Sequence, residues 1–283
     1  MRWTADTDLA TYADRVLPAL YREPVRNNVA CTLIQQRRTG MMPIEPDALW
    51  LFARHGAGEI AAVALRTPPH ALLLTEMTDD AVDALVEYLA RTEPRLPAAT
   101  GPDAICERFA TRYADLVGFV AKPHLASRLF ELRAVDPPVG VPGSFREATT
   151  GDRDVLVAWT GAFAREAMPD APPEDHARPV DQRLAKGGLL WLWDDGGEPV
   201  SMAYLNLPAN GVVRVSGVYT PPERRGRGYA SACVAAASQH ALDSGATACM
   251  LYTDLGNPTS NKIYQVIGYR PVTDAGYWLF ESR

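Results

Sequence analysis

The chain lacks several features that would make assignment simple. Its four cysteines, Cys31, Cys106, Cys233 and Cys249, are scattered, with no C-x-x-C pair. That spacing argues against a disulfide framework or zinc site and for small buried hydrophobes in a reducing compartment. The five histidines show no ligand spacing, so no metal is expected. No apolar run approaches the roughly 20 residues of a membrane span. Met1-Arg2-Trp3-Thr4-Ala5-Asp6-Thr7-Asp8 carries acids and no apolar stretch, unlike a signal peptide. A cytoplasmic protein is therefore expected. Lysine occurs only at 122, 186 and 262, an arginine bias that fits a high-GC bacterial genome. A net charge of −6 gives no broad nucleic-acid or anionic-membrane surface. With 283 residues, 47% of them hydrophobic, the chain has room for two globular domains.

What the chain does have is a tight basic turn, Arg225-Gly226-Arg227-Gly228-Tyr229-Ala230. An alternating run, Val212 to Thr220, precedes it, and a breaker-free alanine-rich run, Ser231 to Leu242, follows. This order predicts strand, turn and helix. A helix N-terminus carries free N–H groups and partial positive charge, so it attracts phosphate. Gly226 and Gly228 let the backbone approach an anion, and the arginines add forked donors. A Walker loop would need Gly-Lys-Ser/Thr, and no lysine follows. The dinucleotide fingerprint G-x-G-x-x-G fails because Ser231 stands at its sixth position. The turn matches R-x-x-G-x-G/A through Arg225, Gly228 and Ala230.

Following Pro221-Pro222, this pattern resembles the turn of the GNAT superfamily of acyl-CoA-dependent acyltransferases, whose amides hold the pyrophosphate of coenzyme A. A second element carries the resemblance further. Thr247 to Thr253 reads as a buried strand, Asn257-Pro258 as the N-cap and first turn of a helix, and Gly268 as its stop. Asn261 and Tyr264 are three residues apart and share a face of that helix. The family has a similar helix after its fifth strand. The resemblance implies that Tyr264 protonates the departing thiolate. It implies that Val218, Tyr219 and Thr220 pair with the pantetheine arm. Arg225, Gly226, Arg227, Gly228, Tyr229, Ala230 and Ser231 would cradle the pyrophosphate, and Asn257 and Asn261 would join the cofactor-binding set. The implied co-substrate is acetyl-CoA or another acyl-CoA.

The Pro/Gly-rich stretch from Ala134 to Gly143 cannot continue a helix or central strand. It divides the chain into 1–135, a linker at 136–143, and 144–283. In the second part Ser144–Glu147 reads as a strand and Thr150-Gly151-Asp152 as the cap of a helix running to about Met168. Pro179–Lys186 reads as a further helix. Three strands follow, Leu189–Trp193, Val200–Leu207 and Gly211–Thr220, then the turn, the alanine-rich helix, strand 247–253, the Tyr264 helix and a last strand at 271–281. The expected fold is α/β (α+β): a mixed, mostly antiparallel twisted sheet flanked by helices, GNAT-like, in two domains. In the first part Leu9–Leu20, Asp79–Ala90 and Asp103–Val117 read as helices, and Glu59–Arg66 and Ala71–Thr75 as strands. That part resembles a degenerate GNAT-like repeat without the R-x-x-G-x-G/A turn; an unrelated αβ cap domain is the alternative.

The implied chemistry is direct attack of an amine on the thioester. The amine must lose a proton, and backbone N–H at 218 or 219 would polarise the carbonyl. Gly217 marks either the bulge that opens the donor's gap or plain close packing. Many family members carry a Glu on the strand before the turn; here that strand has Arg214 and Ser216 and no acid. Asp254 and Glu166 are the remaining base candidates, each better explained as a solvated surface acid. The acceptor, foremost a small-molecule amine, with a protein N-terminus or lysine open, would lie between loop 168–178 and the sheet. There Asp170, Glu174 and Asp175 either attract a cationic amine or, as is usual for an acidic loop, are simply solvated. Trp191, Trp193, Tyr204 and Trp278 read as core. An acyl carrier protein or aminoacyl-tRNA as donor stays open, as does a non-catalytic acyl-CoA sensor.

Overall fold

A computed structural model describes residues 1–56, 58–167 and 175–283. The elements follow one another as β1 (Arg2–Ala5), α1 (Leu9–Leu20), α2 (Asn28–Arg38), β2 (Leu49–Arg54), β3 (Ile60–Arg66), β4 (Leu72–Leu74), α3 (Asp79–Thr92), β5 (Ala98–Pro102), α4 (Asp103–Val117) and β6 (Phe119–Leu132). The second run is β7 (Ser144–Glu147), α5 (Arg153–Ala167), α6 (Ala177–Lys186), β8 (Leu190–Asp195), β9 (Glu198–Leu205), β10 (Val212–Tyr219), α7 (Tyr229–Asp243), β11 (Ala248–Asp254), α8 (Pro258–Val266) and β12 (Arg270–Ser282). Type for type, the second run repeats the first.

Two compact units emerge, and they are not the linear halves. One comprises Met1–Leu129, Thr253–Asn257 and Val272–Arg283; the other comprises Phe130–Tyr252 and Pro258–Pro271. The chain's last strand thus completes the first unit: β12 pairs antiparallel with β5, Leu279 opposite Ala98 and Ala275 opposite Pro102. Residues 136–143 belong to the second unit and lie against it. The Asp136 amide donates to the Ile267 carbonyl at 3.0 Å, and Trp193 Nε1 to the Pro142 carbonyl at 2.8 Å.

The first unit's sheet runs β1-β2-β3-β4-β5-β12, antiparallel except for the parallel pair β4–β5. Both faces are covered. On β2, Trp50 and Phe52 meet Tyr12 of α1, while Leu51 and Ala53 join the cluster with Leu85 and Leu89 of α3 and Phe109 of α4. Burial on both faces explains why Leu49–Arg54 shows no alternation in sequence.

The second unit's sheet runs β11-β10-β9-β8-β7, antiparallel except for β10–β11. Alternation splits its side chains into two layers. Trp191, Ala203, Leu205, Val213 and Val215 pack with Cys233 and Ala237 of α7. Leu190, Leu192, Met202 and Tyr204 pack with Leu156 of α5 and Val180 of α6. The start of α5 corrects the expected cap. Thr150–Asp152 forms a 3-10 turn, and Thr149 is its cap, its N–H and hydroxyl both donating to Asp152 Oδ2 at 2.8 and 3.0 Å. Asp152 faces back because Arg146 holds its other side at 2.8 Å. All four cysteines are buried and free. No helix of the described residues is long and apolar enough to cross a membrane.

Candidate active site

The parallel ladder between β10 and β11 is short. Val212, Val213 and Arg214 pair with Ala248, Cys249 and Met250, and no pairing continues beyond them. On its other edge β10 stays paired to β9, with a register shift between Ser216 and Tyr219. Gly217 sits in that shift at φ +57°, and a Cβ there would stand 2.5 Å from the Tyr204 ring. Both the backbone conformation and the space therefore demand glycine. The bulge turns Gly217 and Val218 out of the β9 ladder at the point where β11 has already departed. Neither residue is paired in the β9 or the β11 ladder, so their peptide groups are available to an added strand-like partner.

At the end of β10 the chain makes a 3-10 turn, Pro222–Arg224, and then the glycine turn. Gly228 is the N-cap of α7 at φ +83°, and a Cβ on it would meet Val141 at 2.9 Å. Among the described residues, no backbone N–H from Gly226 to Ser231 donates a hydrogen bond; the first donor beyond them is Ala232, to the Gly228 carbonyl at 3.0 Å. The first turn of α7 holds no acid. Free amides at a helix N-terminus without a competing carboxylate form an anion site.

The three arginines of the turn separate. Arg224 pairs with Glu198 at 2.8 Å. Arg225 grips Glu166 at 2.7 Å, donates from Nε to the Thr220 carbonyl at 2.9 Å and lies over the Tyr219 ring. Among the described residues Arg227 has no acidic partner. The Tyr229 ring is buried and its hydroxyl bonds Asp195, so only its backbone N–H faces the anion site. Thr220 shares a hydroxyl hydrogen bond with Ser201 at 2.9 Å, and the Tyr219 carbonyl accepts from Ser201 at 3.2 Å.

Tyr264 lies on α8, buried, edge-on to Tyr269 at 6.0 Å and in the same apolar cluster as Val215, Val218 and Leu251. Burial pushes its hydroxyl up to about 12, so it keeps its proton throughout the neutral range. Asn261 is half-buried one helical turn earlier. Asn257 belongs to segment Thr253–Asn257, which groups with the first unit, and its amide donates to the Asp254 carbonyl at 3.1 Å.

The face of β10 toward α5 and α6 carries no acid. Glu166 is tied to Arg225, and Asp254 is exposed and accepts from the Gly256 amide at 2.7 Å. Asp175 caps α6 through the Ala177 amide at 2.9 Å. Asp170 and Glu174 lie outside the described residues. Trp191 stacks on Phe145 at 4.7 Å and Tyr204 is buried, as core residues would be. What sequence reasoning missed on this face is a second arginine, Arg183 of α6, whose guanidinium lies 5.2 Å over the Tyr204 ring. Among the described residues no group of His, Cys, Asp and Glu converges as a metal site.

The second unit thus joins a mostly antiparallel sheet, whose one parallel pair spans only three residue pairs, to a glycine turn with unused amides. Residues 156–269 match the model of the acetyltransferase (GNAT) family, and this stretch of the chain is a GNAT acetyltransferase domain. Members of that family generally draw their acyl group from acetyl-CoA or another acyl-CoA. No curated protein matches the sequence. Several solved structures share the fold. A Drosophila protein is 14% identical with a TM-score of 0.68, over 99% of this chain and 98% of that one. A GCN5-related N-acetyltransferase from Sphaerobacter thermophilus is 16% identical with a TM-score of 0.61, over 98% and 94%. A GNAT-family acetyltransferase from Colwellia psychrerythraea is 11% identical with a TM-score of 0.60, over the whole of both chains.

Proposed function

We propose that the protein is an N-acyltransferase that moves an acetyl or other acyl group from coenzyme A to an amine, the donor being held by the second unit. One observation carries this reading: the bulged end of β10 runs within a few residues into a turn, 226–231, whose amides are unused. The pyrophosphate would take those amides with Arg227 beside them. The pantetheine arm would pair with Val218, Tyr219 and Thr220, and the thioester carbonyl would reach the N–H of 218 or 219. Such donors stabilise the oxyanion of the tetrahedral intermediate.

The amine attacks in its neutral form. β10 offers no carboxylate to deprotonate it, so its proton leaves through water. As the C–S bond breaks, the Tyr264 hydroxyl gives its proton to the sulfur and regains one from solvent. A free thiol titrates near 8.5, well below Tyr264, so the transfer is uphill and is drawn forward by C–S cleavage and by reprotonation of the tyrosinate from solvent.

Acetyl-CoA at about 100 times its Kd should stabilise the protein by about 2.7 kcal/mol, read as a rise in Tm. No rise at millimolar acetyl-CoA would remove the donor assignment. Tyr264→Phe should lower kcat by about 10- to 100-fold while keeping the acetyl-CoA rise. Unchanged turnover would take Tyr264 out of the mechanism. A protein that binds acetyl-CoA and releases no thiol with any amine would be a sensor.

A further inference from the structure

The wall of the site next to the bulge is cationic, and that constrains the acceptor. Ser216 stands opposite Tyr204 across the β10–β9 ladder, so Arg214, Ser216, Tyr204 and Asn206 share the face toward α5 and α6. Asn206 locks this row: its Nδ2 donates to the Arg214 carbonyl at 3.1 Å and to Ser216 Oγ at 2.9 Å. Arg183 comes in from α6, its guanidinium over the Tyr204 ring and Nη1 near the Pro179 carbonyl at 3.5 Å. Both arginines are half-buried, and among the described residues neither has a carboxylate within ion-pair distance. Arg214 Nε is buried with no hydrogen-bond partner. Burial first, and then the charge of Arg183, draws the Arg214 guanidinium below its ordinary value, against the opposing effect of Tyr252.

Two like charges sharing a partly desolvated wall are costly, and a buried guanidinium N–H without an acceptor adds to that cost. Among the described residues no carboxylate offsets that cost, and a bound partner would. The partner must be an anion small enough to sit beside the bulge, on the face an amine would approach. A carboxylate matches: it is planar, singly charged and fits the guanidinium fork.

We propose, resting on the N-acyltransferase reading above, that the acceptor is an amine that itself carries a carboxylate, an amino-acid-type acceptor whose acid group is held by Arg214 and Arg183. The wall that lacks the expected acid thus selects against plain cationic amines. Ser216, between Arg214 and the bulge, is placed to hydrogen-bond the bound molecule between its two ends.

The test uses the full chain, acetyl-CoA and thiol release, with glycine, β-alanine and 4-aminobutyrate set against their amides; the series also reads the spacing between amine and acid. The acids should show KM values at least about tenfold below those of their amides. Arg214→Gln and, separately, Arg183→Gln should raise KM for the acids about tenfold, leaving KM for the amides and for acetyl-CoA unchanged. Arg183→Gln, on a helix surface, keeps the test open if Arg214→Gln does not fold. A second readout is the Tm of the CoA-saturated wild type with glycine against glycinamide, where only the acid should add stability. Equal use of acids and amides, preference for phosphoethanolamine over the acids, or an equal Tm effect of acid and amide overturns the proposal while leaving the donor assignment intact. No Tm rise with acetyl-CoA itself removes both.

Discussion

At the junction between fourth strand and third helix the two units diverge, although they run through the same order of elements. In the first unit β4 ends where its ladder with β5 ends: Leu72 pairs with Ala99 and Leu73 with Thr100, and Gly101 lies so near Leu74 that a Cβ would meet its carbonyl at 2.7 Å. The chain then enters α3 through Thr78, with Asp79 and Asp80 in the first turn. In the second unit β10 and β11 part, the chain makes a glycine turn, and α7 begins with no acid. Two carboxylates at a helix N-terminus satisfy the same positive end that a phosphate would take. On the proposed reading, the first unit meets with its own carboxylates the helix end that the second leaves to a phosphate. Its buried tyrosine differs likewise. The Tyr113 hydroxyl bonds the Glu93 carbonyl and accepts from the Leu96 amide at 3.2 Å, whereas Tyr264 touches rings and aliphatic groups. A repeated architecture need not repeat a function; if the proposed donor site is right, the charges and glycines at one junction separate the two copies.

The strongest way to break this comparison is to add one methyl group to each junction. Gly217→Ala and Gly101→Ala should each destabilise by about 3 kcal/mol, because both force a carbon into occupied space. Only Gly217→Ala should also lose the acetyl-CoA Tm rise, since only that glycine shapes the donor gap. Loss of the rise in Gly101→Ala would mean that the first unit contributes to donor binding.

A smaller effect separates the units by acid. Arg146, with the amide and hydroxyl of Thr149, holds the Asp152 carboxyl down to about 2, against an ordinary 3.8. A depressed carboxylate contributes stability that is present above its unfolded pKa and disappears as pH falls through the folded one. Asp152 should therefore contribute about 2 kcal/mol at neutral pH, lost between about pH 4 and pH 2. Asp152→Asn should remove that amount at pH 7 and flatten the acid limb of a urea-stability profile. The exposed Arg22–Glu59 pair of the first unit, 65% and 75% accessible, should matter far less. An equal acid response in Glu59→Gln would contradict this ranking.

The smallest effect tests the turn. Arg227→Gln should weaken acetyl-CoA binding about 3- to 10-fold by calorimetry, more at low salt, because its charge is not committed to a protein acid. Arg224→Gln, already paired with Glu198, should change it less. The reverse order would mean that the ion pairs of the turn open when the donor binds.

Much of the fold was legible in the chain. Helices Leu9–Leu20 and Asp103–Val117 and strand Ser144–Glu147 have the bounds their patterns predict. β1, α2, β2, β5 and β6 escaped, the last three for want of a usable pattern. β2 is buried on both faces and shows no period, β5 contains Gly101 and Pro102, and β6 runs through Pro123. Of the functional face, Arg214 stood out in sequence only as the residue occupying an acid's place. Arg183 gave no signal, because an arginine near the end of an amphipathic helix looks solvated until a strand brings Tyr204 beneath it.

The sequence by itself determined the glycine turn, the helix that follows and the absence of acid on β10, because each depends on residues adjacent in the chain and on local backbone conformation. Tertiary structure alone decided which arginine the turn leaves uncommitted, where the β10–β11 ladder opens, which unit takes the last strand, and that two arginines from distant elements share one wall. Those outcomes rest on ladder partners and ion pairs from far along the chain, and no local pattern specifies which of several acids or edges the folded molecule will supply.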